Sequence, residues 1–346
     1  MTGTELLDPR RDTRWARFVD EASEASVFHH PEWLALLHRT YGYPLAACCV
    51  VRAGRVEAGL PVARVVSRLT GRRLVALPFS DLCGPVVPAA AEGRRGELLE
   101  GLVALSWREA LDLEIRATVD DLPGGHPTDE FLHHRLRLGK GSVVADRRPV
   151  SSSARRGARK ARHAGLVAER HTGDWGLAEF YRLHLRTRRR QGVPIQPKRF
   201  IMGLERLFAR GLGFTMLVRD GNEVIAAAVF LTCNGVLTYK YGASDERRLN
   251  ARPNNLLFTE AIDWGAGNGC HTLDFGRTSP ENTGLAAFKR GWGAEERTVG
   301  YTSTAADADL HLVEDGRAAR TLKVLIQRGP PGLSRLTGEL LYKHVG

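Results

Sequence analysis

Three apolar runs joined by two turn signals constrain this chain more than any other feature. Gly213–Arg219, Glu223–Cys233 and Val236–Tyr241 read as strands. Asp220-Gly221-Asn222 and Asn234-Gly235 separate them. Asp-Gly and Asn-Gly between apolar runs supply the positive φ that a tight hairpin needs, so the three form an antiparallel meander. A helix from about Asn254 to Asn268 and a strand at His271–Phe275 follow. A strand that returns after a helix reads as a parallel addition to the sheet.

The first half shows the same order. A helix-like segment, Pro31–His38, has proline at an N-terminal helical position. Strands at Leu45–Arg52, Val56–Val66 and Arg73–Leu77 follow, then a loop at Ser80–Pro88, a helix at Glu92–Ala110 and a strand at Leu111–Ala117. The two final strands rhyme: Leu113-Glu114-Ile115-Arg116 against Leu273-Asp274-Phe275-Gly276-Arg277. One unit used twice is therefore expected. A run at Ser142–Val150 leads into Ser151-Ser152-Ser153, a polar break that places the domain boundary. The second half opens on a basic helix, Ala154–Arg162, and continues with helices at Trp175–Arg189 and Pro197–Arg210. The expected organisation is a domain over 1–150, a second over 151–310 and a helical tail over 311–346. Each domain would carry a mixed, mostly antiparallel sheet flanked by helices, an α/β (α+β) class.

A chain of 346 residues exceeds what one hydrophobic core usually supports, which agrees with two domains. Its net charge of +11 implies attraction to polyanions, or else a composition-wide arginine bias spread over the surface. Five cysteines without CxxC spacing argue against a disulfide scaffold and against zinc, so no metal is expected. The N-terminal residues have no apolar core of a signal peptide, and no run approaches the ~20 apolar residues of a membrane span. A cytoplasmic location is the expectation.

Lysine is scarce here and arginine supplies nearly all the positive charge. Lys289, set between Phe288 and Trp292 on what reads as a loop after Asp274–Arg277, is therefore the first candidate for chemistry. An ammonium flanked by aromatics is a compact donor to an oxyanion or phosphate. The plainer alternative is a surface lysine whose stem packs on Trp292. Arg277 ends a strand at the edge where open α/β sheets bind ligands, or else pairs with Asp274. Asp274 itself is a candidate for proton transfer or a supporting ion-pair partner. Tyr239 and Tyr241 should share one face of their strand while Lys240 points to the other, and either face lines a cleft. Asn254 and Asn255 stand at a helix start, as caps or as ligand contacts. Arg155, Arg156, Arg159, Lys160 and Arg162 form a basic helix that contacts phosphates or is simply solvated. His29-His30 and His133-His134 lack metal-site spacing and read as surface or loop residues.

Meander, loop, helix, parallel strand is the element order of the GNAT acyltransferase fold. In that fold a glycine-rich loop, R/Q-x-x-G-x-G/A, holds the acyl-CoA pyrophosphate at a helix start. The corresponding loop here, Arg247 to Asn255, keeps arginine but has neither glycine, and Pro253 removes a backbone donor. Two tandem GNAT-like units with a weakened CoA loop resemble the FemAB-like family, relatives of the peptidoglycan aminoacyltransferases. Tyr239–Ser244, Ala261–Trp264, Asp274–Arg277 and Phe288–Gly293 carry the resemblance, specific mainly from about 151 to 303. No heptad run marks the coiled-coil arm that some members carry.

The resemblance implies transfer of an aminoacyl group from aminoacyl-tRNA to an amine of a peptidoglycan or other cell-envelope precursor. It implies no required cofactor, with Lys289 at the acyl or phosphate end of the substrates and no dedicated protein base. An acyl-CoA-dependent N-acyltransferase acting on a sugar, lipid or metabolite amine is the alternative within enzymes. A non-catalytic scaffold that binds polyanions is the alternative outside them. The tail stretches Leu322–Ile326 and Leu336–His344 are basic and amphipathic, suited to packing on the first domain or to peripheral contact with an anionic membrane.

Overall fold

A computed structural model of the chain describes residues 3–67, 70–139, 150–305, 326–327 and 331–344. The run at 142–149 and the tail stretch at 322–325 lie outside these residues. Two compact units emerge, Met1–Glu130 with Val299–Thr321 and Glu339–Gly346, and Phe131–Thr298 with Leu322–Gly338. The division falls at Glu130 rather than at the serine cluster, and the first unit is built from separate stretches of chain.

The first unit begins with β1 (Thr4–Leu7), α1 (Thr13–Glu21) and α2 (Pro31–Tyr41). The meander β2 (Leu45–Arg52), β3 (Arg55–Ser67) and β4 (Gly71–Ala76) follows, then α3 (Arg95–Glu109) and β5 (Asp112–Ile115). Strands β2, β3 and β4 pair antiparallel, whereas β5 adds to β4 in parallel, Arg73 opposite Asp112 through Ala76 opposite Ile115. Trp15, Phe18, Val19, Ala47 and Val86 form part of its apolar core.

In the second unit, β6 (His126–Arg137) contributes its residues from Phe131 onward. Next come α4 (Ser152–His163), β7 (Val167–His171) and α5 (Asp174–Gln191). The expected helix over 197–210 is two single turns, α6 (Lys198–Met202) and α7 (Glu205–Ala209), interrupted at Gly203-Leu204. The meander β8 (Gly213–Asp220), β9 (Glu223–Cys233) and β10 (Val236–Ser244) precedes α8 (Pro253–Gly267) and β11 (Thr272–Thr278). Helix α9 (Thr283–Arg290) and β12 (Glu295–Ser303) follow, and α10 (Pro331–Leu341) lies near the end. Strand order in this unit is β6-β11-β10-β9-β8-β7, with β11 parallel to β10 and the other pairs antiparallel. The element order of the first unit is thus repeated.

Helices cover both faces of this sheet. On one face, α8 brings Phe258 and Trp264 against Phe214, Phe230 and Tyr239. On the other, α5 stacks Phe180 and His184 near Tyr241. Helix α4 lies against α8 through a stripe of small buried residues, Ala154, Gly157, Ala158 and Ala161. A Cβ on Gly157 would sit 2.6 Å from the Asn255 side chain, which would have to shift to admit it.

Ser151 is not a linker but the cap of α4. Its Oγ accepts the Ala154 N–H, and its own N–H donates to the Gly291 carbonyl just after α9.

Candidate active site

The parallel pairing of β10 and β11 runs from Val236 opposite Thr272 to Thr238 opposite Asp274 and stops there. Both strands continue, β10 to Ser244 and β11 to Thr278. Past Thr238 and Asp274 the two strands splay, with no ladder between them; on β11 the carbonyls of Phe275, Gly276 and Arg277 accept from Lys289 instead. The edge of β10 that loses its β11 partner there can hold an extended polar substrate by main-chain hydrogen bonds.

Each strand is bent at the splay by a bulge. On β10 the register with β9 shifts between Tyr239 and Tyr241. An extra residue reverses side-chain parity, so Tyr239 and Tyr241 do not share a face. Tyr239 packs on Phe230 and Phe258 below the sheet's α8 side, where burial pushes its phenol up to about 12. Tyr241 turns toward Phe180 and His184 on the α5 side, with the Lys240 ammonium 5.2 Å from its ring.

The second bulge lies on β11 between Asp274 and Arg277, in register with β6. Gly276 takes φ +66° there, a left-handed conformation that side chains resist. Asp274 Oδ1 accepts the Gly276 N–H at 2.7 Å and is 2.9 Å from His133 Nε2. Burial alone would raise the Asp274 carboxyl; the His133 contact and the Gly276 N–H outweigh it and hold the carboxyl below the usual carboxylate range. Asp274 is thus an ionised brace for the bulge. Arg277 is exposed, its guanidinium 4.2 Å from the centre of the Phe131 ring.

Lys289 sits in the last turn of α9, not on a loop, and is only 1% exposed. Its Nζ donates to the carbonyls of Phe275 (2.7 Å), Gly276 (3.1 Å) and Arg277 (3.3 Å) and to Thr278 Oγ1 (2.7 Å). Four acceptors exceed the three protons of an ammonium, so the group is committed to holding the far end of β11. Asn282 caps α9 by accepting the Leu285 N–H, which fixes the helix that presents the lysine.

Trp292 is 1% exposed and packs on Phe258 and Phe288, so it belongs to the core and offers no surface to a substrate. Asn254 and Asn255 are not caps either. Arg252, in the left-handed region at φ +62°, occupies the cap position of α8, and Pro253 is the first helical residue. No side chain caps this helix start. Asn255 instead reaches the Ala154 carbonyl of α4 at 3.4 Å, and Asn254 reaches Ser244 Oγ at 3.5 Å, at the open end of β10. Helix α4 thereby stands at the start of α8, beside the mouth of the splay. On its outer face Arg155 is half-buried, and Arg156, Arg159 and Lys160 are exposed. None of these four has an acidic partner among the described residues, whereas Arg162 pairs with Glu260 of α8.

The histidine pairs differ from expectation. His133 and His134 are buried on β6, His134 Nε2 lying 2.8 Å from Glu296. His29 is buried too, and His30 caps α2. Sequence reasoning passed over His133 because β6 is too polar to read as a strand.

The first unit's counterpart of Asp274 is Glu114, and its surroundings are closed. Glu114 lies between Arg73 (3.1 Å) and Arg116 (3.2 Å), all three buried. Tyr41, Tyr43, Phe79 and Tyr342 form an aromatic cluster in the same unit, and Tyr43 Oη donates to the Lys343 carbonyl. Among the described residues no group of three or more acidic, histidine or cysteine side chains could hold a metal ion. None of the described helices is long and apolar enough to cross a membrane.

Residues 148–290 match the acetyltransferase (GNAT) domain family. No curated protein matches the chain. Among solved structures, FemX is 15% identical with a TM-score of 0.69, over 89% of this chain and 98% of that one. The C-terminal domain of a putative lysylphosphatidylglycerol synthetase from Agrobacterium fabrum gives 13% and 0.54, over 92% and 96%. A tandem GNAT protein from the clavulanic acid biosynthesis pathway gives 13% and 0.53, over 88% and 99%. At these identities the likeness is one of fold, and that fold is the tandem GNAT arrangement.

Proposed function

We propose, for a chain whose residues 148–290 form a GNAT-type acyltransferase domain, that it transfers an aminoacyl group from aminoacyl-tRNA to an amine of a peptidoglycan or other cell-envelope precursor. The observation that carries this is the cationic outer face of α4 beside the start of α8. The family's acyl donor approaches at that helix start, and a donor ending in RNA needs phosphate contacts outside the cleft. The loop before α8 has no glycines to cradle a compact pyrophosphate, while Arg155, Arg156, Arg159 and Lys160 stand next to it with no acidic partner among the described residues. The likeness in fold to FemX adds support.

The chemistry asks little of protein side chains. The acceptor amine attacks the ester carbonyl carbon, a C–N bond forms, the ester C–O bond breaks, and the amine's proton ends on the released ribose hydroxyl. An activated ester needs orientation and stabilisation of a transient oxyanion. The splayed edges of β10 and β11 supply the slot. Lys289 acts as a positioning residue, since its four contacts fix the path of Phe275 to Thr278. Asp274 supports the same turn, and Arg277, Lys240 and Asn254 border the opening. No side chain is assigned as general base, and no cofactor beyond the tRNA co-substrate is required.

The start of α8, which no side chain caps, favours a second reading, an acyl-CoA-dependent N-acyltransferase, because a helix N-terminus attracts a pyrophosphate. Replacing Arg155 and Lys160 by alanine separates the two. An RNA donor predicts a rise of about tenfold or more in KM for aminoacyl-tRNA with kcat retained, and a shallower salt dependence. A KM that does not move contradicts the RNA-binding role of α4.

A further inference from the structure

A cationic pocket opens one strand beyond the cleft, on β6 and β12. Its volume is about 140 Å3, and His133, Arg135, Arg137, Thr272, Glu295 and Arg297 line it. All six belong to the second unit. Side chains alternate along a strand, so His133, Arg135 and Arg137 share one face of β6. Leu136, between them, points the other way into the core that holds Phe258 and Trp292. In the ladder Thr272 stands opposite Arg137 and Asp274 opposite Arg135, which puts both on the pocket's side of β11. Helix α5 packs over β8, β9 and β10 on that side. Beyond it Arg135, Arg137 and Arg297 are exposed.

Charge in this pocket is unbalanced. Glu295 lies between two of the arginines, Oε1 3.5 Å from Arg137 Nε and Oε2 3.7 Å from Arg297 Nη2. Both distances exceed an ordinary hydrogen bond, and such contacts between exposed groups are weak. Arg135 has no ion-pair partner among the described residues. Asp274, its neighbour across the ladder, is taken up by His133 and the Gly276 N–H. Three guanidinium groups thus share one carboxylate, and the excess positive charge favours an anion. Planar guanidinium forks match the oxygens of a phosphate group in particular.

We propose that this pocket binds a single phosphate group, as the inorganic ion or as the end of a phosphate monoester. Its volume lies below the ~300–1,000 Å3 of pockets that enclose a drug-sized ligand, which suits one tetrahedral anion and excludes a nucleotide. Helix α4 packs on α8, on the other side of the sheet, so the pocket is separate from the cationic face proposed for RNA. The site requires no acyl donor and stands whichever donor the chain uses. His133 lines the pocket and meets Asp274 through Nε2, so its ring reports occupancy.

The test is an NMR titration of the full chain, read on the His133 ring signals, with inorganic phosphate, glycerol 3-phosphate and acetate at fixed pH and ionic strength. His133→Gln identifies the signals by their loss. The binding variant is Arg135→Gln/Arg297→Gln, two exposed positions whose loss leaves the core intact, and Arg155→Ala/Lys160→Ala is the control. We expect saturable, phosphate-dependent shifts of the His133 signals, with affinity about tenfold or more weaker in the β6/β12 variant and unchanged in the α4 variant. Tighter binding of glycerol 3-phosphate than of inorganic phosphate identifies the ligand as a monoester, and the reverse order as the free ion. No saturable shift in the unmodified chain, equal affinity in the β6/β12 variant, equal losses in both variants, or acetate binding as tightly as phosphate overturns the proposal.

Discussion

The Lys289 ammonium donates to the Phe275 carbonyl at 2.7 Å, joining the last turn of α9 to the strand that forms one wall of the cleft. Three more acceptors on Gly276, Arg277 and Thr278 share the same nitrogen. A buried ammonium used this way is a structural clamp, and its removal leaves carbonyls with no donor. Lys289→Met should lower unfolding stability by about 2–4 kcal/mol, read by chemical denaturation. Lys289→Arg should not restore it fully, since a planar fork cannot meet four acceptors arranged round a point charge. A Lys289→Met protein as stable as the parent would show that the clamp is not formed.

Gly276 carries the bulge at φ +66°, with its N–H on Asp274. Gly276→Ala forces a side chain into the left-handed region and should cost about 1–2 kcal/mol. If the splay needs this turn, transfer activity should fall further than the loss of folded protein explains. Thermal unfolding and kcat measured on one preparation decide the matter.

Gly157 sets the distance between α4 and α8. Alanine there gains helix propensity while pressing on Asn255, and the two effects nearly cancel. Leucine has no such compensation. Gly157→Leu should destabilise the protein by roughly 1–3 kcal/mol and raise KM for the RNA donor by displacing the basic face. A leucine variant with unchanged stability and KM would contradict the packing described.

His184 is buried between Phe180 and Gln196, its Nε2 2.8 Å from Gln196 Oε1, and burial pushes its imidazole from 6.5 down to about 3. The unfolded chain takes up this proton near pH 6.5, while the folded chain resists it until about pH 3. Stability contributed by the neutral ring is therefore complete above pH 6.5 and drains away as pH falls toward 3. His184→Gln should remove about 2–4 kcal/mol of the acid-dependent loss across that window, measured by urea unfolding at several pH values. An unchanged slope in the variant would place the titration elsewhere.

Much of this fold is legible in the sequence wherever apolar runs are long and turns carry Asp-Gly or Asn-Gly. The meander from Gly213 to Ser244, α8 and β11 fall where hydrophobic pattern and turn chemistry put them. Strand β6 does not, because His126–Arg137 carries histidines and charges at nearly every second position. Its partners on β11 had to be seen before His133 could be placed beside Asp274. The bulge at Lys240 has no sequence signal, and a one-residue insertion is enough to reverse the faces of Tyr239 and Tyr241. Lys289 was found by its rarity, yet rarity cannot distinguish an ammonium offered to a substrate from one turned inward to three carbonyls.

In the proposed reaction the second unit takes its acyl group from RNA. Incubation with labelled aminoacyl-tRNA, and separately with labelled acetyl-CoA, over a panel of amine-bearing cell-envelope precursors tests it most directly. Label on an amine acceptor from aminoacyl-tRNA and none from acetyl-CoA is the expected result. Transfer from acetyl-CoA alone would contradict it.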